Sequence, residues 1–209
     1  APGSVDGELC AAPDLDGAPD IRPLDQPDSR VLQSLYECTV EKVFRLALHR
    51  NAEFWDWRYL RSAGFEYQFF GSPADLGIVV ARIEPILSPD RPALDGRPVL
   101  RLIECLPADS RTWTGQPDDD HQSLIRGVLA WAANQGCVLA DFQHSSDRLD
   151  HVLAAAGFTA VGPEAPPAIR AVPDVFQPLR YDKKPINYAW RLAGEAAAEP
   201  AYSPKWRIL

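Results

Sequence analysis

The chain of 209 residues contains no methionine, and its four cysteines and four histidines are too scattered to match a familiar metal-binding pattern. A zinc site typically needs Cys-x-x-Cys pairs or clustered histidines, and neither is present. We therefore expect no metal site, and free, mostly buried thiols in a reducing compartment. The missing methionine and the Ala-Pro-Gly-Ser start lead us to expect a processed or engineered fragment of a larger parent polypeptide.

Two further absences narrow the range of partners. No apolar run approaches the roughly 20 residues that a membrane-spanning helix requires, and no signal-peptide pattern opens the sequence. Basic residues number 21 against 29 acidic ones, which gives a net charge of −8 and a pI near 5.0. Because an acidic protein is repelled by a polyanion, we expect no nucleic-acid partner. The sequence thus predicts a cytoplasmic protein that binds neither membranes nor nucleic acid, and a homodimer is left open.

The composition that remains is that of a folded domain. Hydrophobic residues make up 46% of the chain and charged residues 24%, which is near the average for globular proteins of this size. Residues 1–19 are rich in proline, glycine and aspartate and almost free of large apolar residues, which predicts a disordered tail or linker. We expect one domain over residues 20–195 and a C-terminal tail over residues 196–209.

Apolar periodicity and turn residues predict helices that alternate with strands. Apolar residues at three- and four-residue spacings predict a helix over residues 28–48. Further helices are predicted over about 120–135 and 146–157, and strands over 76–84, 98–106 and 137–142, with strand candidates at 158–162, 168–176 and 186–192. This order predicts an α/β or α+β fold in which helices cover a sheet.

Residues 54–70 contain eight aromatic residues, an unusual concentration for this chain. Two interpretations remain open. The segment forms an aromatic mini-core beneath a loop, with residues 67–70 entering a strand, or it forms a wall that binds an acceptor molecule. In the second case Trp55, Trp57, Arg58 and Tyr67 make up the wall, and the guanidinium group of Arg58 stacks on the rings or holds an anionic group.

Three stretches of the sequence resemble the GNAT superfamily of acyl-CoA-dependent N-acyltransferases. Residues 20–36 are similar to the first strand and helix of that family. The strand that ends near Glu104, with its following loop and helix, is similar to the acyl-CoA-binding segment, and residues 138–158, which close with Leu-Ala-Ala-Ala-Gly-Phe, are similar to a later strand and helix. More loosely, residues 54–67 resemble a segment of GNAT-like proteins of polysaccharide or cell-envelope biosynthesis. The resemblance implies a mixed, mostly antiparallel central sheet flanked by helices.

The activity implied by this resemblance is transfer of an acetyl or other acyl group from acyl-CoA to an amine of a small molecule or an amino sugar. The transfer needs a base that removes a proton from the amine. Glu104 is the first candidate because it interrupts an apolar strand, and its alternative role is an ion pair with Arg101 or Arg82 at a sheet edge. His121, at the start of a helix, and His144, after a buried strand, are further candidate bases.

The resemblance also implies a site for acyl-CoA as co-substrate. The backbone between Leu106 and Asp120, with Gly115 inside it, and Ser146 would border the pantetheine and the pyrophosphate. This loop has a single glycine and brings three consecutive aspartates, the last of them Asp120, to the place of the phosphates. The family's tyrosine, often the general acid, falls at Leu153. These departures favour a second hypothesis, a non-catalytic GNAT-like binding or assembly domain of a larger protein.

Overall fold

The computed structural model describes residues 14–25, 27–44, 47–72, 74–87, 92–144, 147–161 and 205–208. Ser146, the strand candidates at 168–176 and 186–192, and the C-terminal tail apart from 205–208 lie outside the described residues. The first 13 residues lie outside them as well.

Helices and strands alternate along the described residues. The α-helices are α1 (Ser29–Tyr36), α2 (Ala52–Trp55), α3 (Asp119–Asn134) and α4 (Asp150–Ala155). Turns of π-helix extend α1 over Glu37–Glu41 and α2 over Asp56–Leu60, and turns of 3-10 helix cover Ser110–Thr114 and Asp147–Leu149. The strands are β1 (Gln68–Ser72), β2 (Gly77–Pro85), β3 (Pro98–Leu106), β4 (Leu139–His144), β5 (Thr159–Val161) and β6 (Lys205–Ile208). None of the described helices is both long and apolar enough to cross a bilayer.

The strands form one sheet in the order β1-β2-β3-β4-β6-β5. The β3–β4 pair is parallel and is connected through α3, because parallel neighbours need a crossover. The other neighbouring pairs are antiparallel. The prediction of a mixed, mostly antiparallel sheet flanked by helices is therefore confirmed at the level of fold class.

One face of the sheet packs against α3 through apolar side chains. The buried residues of α3 include the apolar positions that the sequence spacing predicts: Leu124, Ile125, Val128, Leu129 and Ala132. Trp131 of α3 packs edge-on against Phe70 of β1, with ring centroids 4.9 Å apart. Phe70 lies opposite Val79, and Val79 lies opposite Cys105, so the buried Cys105 belongs to the same apolar face.

A β-bulge in β3 decides which face of the sheet carries Glu104. Arg101 lies opposite Arg82 of β2 and Glu104 lies opposite Val80, which leaves Ile103 as an extra residue between them. In a regular strand, residues three positions apart point to opposite faces. The extra residue therefore turns Glu104 to the same face as Arg82 and Arg101.

The helix predicted over residues 28–48 is too long. α1 ends at Tyr36, and its π-helical extension ends at Glu41. The hydroxyl of Thr39 donates to the carbonyl of Leu35 at 2.7 Å, a bond that competes with the regular helical ladder. Phe44, whose spacing suits the predicted helix, instead packs edge-on against Trp113 from the loop before α3, with ring centroids 5.1 Å apart.

The aromatic segment is helical over residues 52–60, whereas the mini-core interpretation places its aromatic residues beneath a loop. α2 and its π-helical extension cover residues 52–60, and the side chain of Asn51 caps α2 by accepting from the N–H of Phe54 at 2.9 Å. The prediction that residues 67–70 enter a strand is confirmed, since β1 begins at Gln68.

Residues upstream of position 20, where we expect the domain to begin, already pack against α3. Arg126 donates through Nη2 to the carbonyl of Asp16 at 3.2 Å. Gly127 is approached so closely by Ile21 that a Cβ at this position would lie 2.3 Å from Ile21 Cγ1. Packing of the N-terminal segment therefore needs a glycine here, and domain contacts extend into the predicted tail.

Candidate functional site

Charged side chains of three neighbouring strands point to the side of the sheet opposite α3. We call this side the charged face, and its members are Arg82, Glu84, Arg101, Glu104 and Asp141. Arg82 Nη2 lies 2.7 Å from Glu84 Oε1, and Arg101 Nη1 lies 2.9 Å from Glu84 Oε2, so one carboxylate holds two guanidinium groups. Arg101 Nε also lies 3.5 Å from Asp141 Oδ1. Pairing of this kind is what allows buried charges to persist in a fold.

Asp141 is buried on this face, and among the described residues only one of its two carboxylate oxygens is paired. Burial raises the pKa of Asp141 to about 6, and the attraction of Arg101 limits the rise. Its Oδ2 atom is buried and makes no hydrogen bond in the described part of the chain. The carboxyl group of Asp141 therefore titrates in a range where free carboxyl groups are already ionised.

Glu104 lies at the bulge of β3, with 13% of its side chain exposed. Its Oε1 atom lies 2.5 Å from Arg50 Nη1 and also accepts a hydrogen bond from the hydroxyl of Tyr59. The alternative in which Glu104 pairs with Arg101 or Arg82 is wrong, because those two arginines bind Glu84 instead. The partner is an arginine from the segment just before α2.

Arg50 is enclosed by aromatic rings. Its Cζ atom lies 4.8 Å from the ring centroid of Tyr36, 5.5 Å from that of Phe54 and 5.8 Å from that of Trp55. Burial lowers the pKa of Arg50, but the charge and hydrogen bond of Glu104 outweigh burial and hold the pKa above its ordinary value. Arg50 is thus a permanent cation that fixes one oxygen of Glu104.

Tyr59 fixes the same oxygen from another side. Burial, together with the charge of Glu104, raises the pKa of Tyr59 well above its ordinary value, so its hydroxyl stays protonated and donates. Glu104 Oε2 makes no hydrogen bond in the described part of the chain. It is not one of the buried polar atoms that lack a partner there, so this oxygen is exposed to solvent. The result is a carboxylate with one anchored oxygen and one oxygen open to accept a proton.

A gap opens between β3 and β4 next to Glu104. The two strands pair from Val99 and Leu139 to Leu102 and Phe142, but β3 continues to Leu106 and β4 to His144 without further pairing between them. The carboxyl ends of parallel strands are where open α/β sheets bind ligands. Backbone groups of β3 beyond Leu102, which have no partner strand on this side among the described residues, can hydrogen-bond an extended ligand.

His144 lies at the end of β4, beyond the last β3–β4 pair. Its ring stacks on Phe142 with centroids 5.1 Å apart and planes inclined by 19°. Its Nε2 atom lies 3.7 Å from Asp150 Oδ1. The structure therefore places this candidate base on the β4 side of the gap.

His121, the other candidate base, is fully buried in the first turn of α3. Its Nδ1 atom lies 3.0 Å from the carbonyl oxygen of Leu76, so Nδ1 must carry the proton and donate. Burial lowers the pKa of His121, which keeps the ring neutral. The imidazole attaches the turn before β2 to α3 and has no access to a solvent-borne substrate.

The loop assigned to the phosphates of acyl-CoA ends on a carboxylate. The side chain of Asp118 caps α3 by accepting from the N–H of His121 at 2.8 Å, and it also accepts from the hydroxyl of Thr112. An anion that belongs to the protein therefore occupies the helix end that a phosphate would use. Leu106 is buried, whereas Gly115, with φ of 84°, and Asp120 are exposed.

The four residues predicted to form an acceptor wall do not share one surface. Trp55 is fully buried and packs against Tyr59, with ring centroids 5.3 Å apart, whereas Trp57 is 70% exposed. Arg58 and Tyr67 do meet, because Arg58 Nη1 donates to the Tyr67 hydroxyl at 3.0 Å. The wall is thus reduced to this pair.

A groove of about 510 Å³ lies beside the Arg58–Tyr67 pair, with Leu24, Asp25 and Pro27 on one side and residues of the segment 59–69 on the other. Its aromatic lining consists of Tyr59, Phe65, Tyr67 and Phe69. Asp25 and Glu66 are its acidic lining residues, and both are exposed. Tyr59 connects the groove to Glu104, since its ring lines the groove and its hydroxyl binds the carboxylate.

Sequence reasoning misses Arg50 and Tyr59 as partners of Glu104. Arg50 lies inside no recognised motif, and Tyr59 is one aromatic residue among many in its segment. The network of Arg82, Glu84 and Arg101 leaves a clearer signal, because charges at these positions interrupt two otherwise apolar strands. Such charges in a buried strand indicate a functional or ionic face.

Within the described ranges, no group of three or more histidine, cysteine, aspartate or glutamate residues is arranged to hold a metal ion. Comparison with family profiles, with curated protein sequences and with solved structures finds no match to this chain. The function of the chain must therefore be inferred from the geometry of the described residues and from the resemblance of the sequence segments.

Proposed function

We propose that this chain is an N-acyltransferase that moves an acetyl or other acyl group from acyl-CoA to an amine of a small molecule or an amino sugar. The observation that carries the proposal is Glu104, a carboxylate with one fixed and one open oxygen just past the point where β3 and β4 separate. A base beside a slot for an extended ligand is the arrangement that amine acylation needs. An amino-sugar acceptor agrees with the resemblance to proteins of polysaccharide biosynthesis.

In the proposed reaction the amine nitrogen attacks the carbonyl carbon of the thioester. The C–N bond forms while the C–S bond breaks, the proton of the nitrogen passes to Glu104 Oε2, and CoA leaves as its thiolate. Arg50 and Tyr59 keep Oε1 in place, which holds Oε2 in one orientation. Backbone N–H groups of β3 beyond Leu102 supply hydrogen bonds to the carbonyl oxygen as its negative charge develops.

The two halves of acyl-CoA suit this structure unequally. The amide-containing pantetheine matches the edge of β3 beyond Leu102, which has no partner strand on the β4 side in the described part of the chain and can bind an extended ligand as it would bind an added strand. The diphosphate does not suit the N-terminus of α3, because the carboxylate of Asp118 already accepts hydrogen bonds there. We assign this helix end no part in donor binding.

A second function, a non-catalytic binding or assembly domain, is favoured by this same carboxylate. Like charges at close range repel by about 1 kcal/mol even in water, and Asp118 is fixed at the helix end by two hydrogen bonds. Leu153, at the position of the family's tyrosine, is fully buried and apolar, so it supplies no proton to a leaving thiolate. Under this hypothesis the groove binds a ligand without transforming it.

Calorimetric titration distinguishes the two functions. We expect acetyl-CoA to bind the wild-type chain, and acetyl-pantetheine, which lacks the nucleotide, to bind with similar affinity because the strand gap contributes most of the contacts. Binding of neither compound at millimolar concentration would remove the acyltransferase proposal and leave the binding domain. Strong binding of acetyl-CoA alone would show that the nucleotide has a site elsewhere.

Glu104→Gln tests the base directly. The amide keeps the shape of the carboxylate but cannot accept the proton, so we expect turnover to fall by about 10²-fold or more. The affinity for acetyl-CoA, measured by calorimetry, should change little. Glu53→Gln, at an exposed position on α2, is the matched control and should retain wild-type turnover. Loss of donor binding together with turnover would show that Glu104 is structural.

A further inference from the structure

Two guanidinium groups converge on one phenol oxygen at the edge of the groove. Arg58 Nη1 lies 3.0 Å and Arg82 Nη1 lies 3.2 Å from the hydroxyl oxygen of Tyr67. A phenol oxygen has two acceptor sites, and the two arginines use both. The proton of the Tyr67 hydroxyl is therefore left to donate, and it has no acceptor among the described residues.

The positive charges at this point are not fully balanced. Arg82 shares Glu84 with Arg101, and its Nε atom is buried without a hydrogen-bond partner in the described part of the chain. Arg58 has no carboxylate partner there at all. Apart from its bond to Tyr67, its contacts are with the faces of Tyr59 and Tyr67, whose centroids lie 5.5 and 5.7 Å from its Cζ atom.

Aromatic rings hold the two cations in place without neutralising them. The Cζ atom of Arg82 lies 4.0 Å from the ring centroid of Phe65, a close cation–π contact. Arg82 is buried and acts on a ligand through the Tyr67 hydroxyl, whereas Arg58 is half-buried and can donate directly to an anionic group.

Of these donors Tyr67 lines the groove, and Arg58, Arg82 and Glu104 each contact a residue of its lining. Tyr67 and Phe65 belong to its lining, as does Tyr59, whose hydroxyl binds the Glu104 carboxylate. The rings of Tyr59 and Tyr67 meet edge-to-face with centroids 5.0 Å apart. A small ligand can thus place one group near Tyr67 and another on the Tyr59 side.

We propose that Arg58, Tyr67 and Arg82 form a subsite for an anionic group, and that the acceptor is an amine that also carries a carboxylate or a phosphate. The identity of the acceptor rests on the proposed acyl transfer, whereas anion binding does not. The exposed carboxylates of Asp25 and Glu66 at the groove agree with a ligand that carries an ammonium group as well as an anionic group. They would attract the ammonium group before it is deprotonated.

The test compares glucosamine with glucosamine 6-phosphate by calorimetry, without any acyl donor. We expect the phosphorylated sugar to bind the wild-type chain at least tenfold more tightly, and Arg58→Gln to remove that difference, because charge-assisted hydrogen bonds to an anion are the strong ones. Arg61→Gln is the matched control, since Arg61 is 77% exposed on the same segment and pairs with Asp56. Equal binding of the two sugars excludes a phosphate as the anion and leaves only a carboxylate, which the second pair of probes tests.

A second pair of probes decides between the two anions. 4-Aminobutyrate is compared with 4-aminobutyramide, which has a neutral amide in place of its only carboxylate, under the same conditions. A preference for either the phosphorylated sugar or 4-aminobutyrate that depends on Arg58 supports the subsite and identifies its anion. Absence of both preferences overturns it.

Tyr67→Phe is a second, milder variant of the same subsite, and it keeps the test valid if Arg58→Gln fails to fold. It removes the hydroxyl and keeps the ring, and we expect it to weaken binding of the preferred anion several-fold while the melting temperature shows that the chain is folded. Unchanged anion binding in both Tyr67→Phe and Arg58→Gln contradicts the proposal. Because no donor is present, this failure is distinguishable from failure of the acyl-transfer proposal, which the acetyl-CoA titration measures.

Discussion

The two faces of the central sheet are built from the same strands but use them in opposite ways. The face under α3 is apolar, with Phe70, Val79 and Cys105 aligned across three strands, and it gains stability by removing apolar surface from water. The charged face buries two arginines that pair with two buried carboxylates. Because buried ion pairs seldom repay their desolvation, the charged face does not stabilise the fold in the way that the apolar face does.

The largest expected effect comes from removing the carboxylate that unites the charged face. Glu84→Gln leaves Arg82 and Arg101 buried without the charge that holds both of them. We expect the free energy of unfolding, measured by urea denaturation, to fall by about 3–5 kcal/mol, as when one partner of a buried ion pair is removed.

Glu53→Gln, at an exposed position, is the control for this change and should alter stability by less than about 0.5 kcal/mol. If Glu84→Gln behaved like this control, the charged face would be solvated, and the contrast between the two faces would disappear.

The next effect is a pH dependence confined to the charged face. Burial raises the pKa of Asp141 to about 6 in the folded chain, whereas an unfolded aspartate ionises near 4. Between these values the folded state binds more protons than the unfolded state, so stability falls as the pH rises from about 4 to about 6 and then levels off. The groups that face Asp141 are Arg101, Glu84 and Arg82.

Asp141→Asn isolates this contribution. The difference in unfolding free energy between the wild type and Asp141→Asn, measured by urea denaturation at several pH values, should shift by roughly 2 kcal/mol against the wild type between pH 4 and pH 6. A difference that stays constant across this range would mean that Asp141 is ionised as readily in the folded chain as in the unfolded chain.

The predictability of the two faces differs for a physical reason. The apolar face follows from local pattern, since the buried positions of α3 recur at helical spacing and the sequence predicts them. The place of Glu104 on the charged face depends on the bulge at Ile103, which no local pattern reveals. In a regular strand Arg101 and Glu104 would point to opposite faces, and pairing across the sheet is needed to bring them together.

The contacts of the candidate site are non-local for the same reason. Arg50 and Tyr59 reach Glu104 from 54 and 45 positions earlier in the chain, and nothing in their own segments indicates this meeting. Glu104 itself is predictable, because a carboxylate in an apolar strand stands out in the sequence. His121 illustrates the reverse: its position at a helix start suggests solvent, but the turn before β2 covers it.

The smallest effect concerns Asp118, a carboxylate whose partners are nearby in sequence. Asp118→Ala removes the cap of α3 and the bond from Thr112, so we expect a loss of about 1 kcal/mol in unfolding free energy. Asp118→Asn keeps an oxygen that accepts from the N–H of His121, and it should cost less than about 0.5 kcal/mol.

The asparagine variant also removes the charge that opposes a phosphate at this helix end. If the donor's phosphates come near α3, acetyl-CoA should bind Asp118→Asn several-fold more tightly than the wild type in calorimetry. We expect equal affinity, because we assign this helix end no part in donor binding, and that result would show that the donor's phosphates do not approach α3.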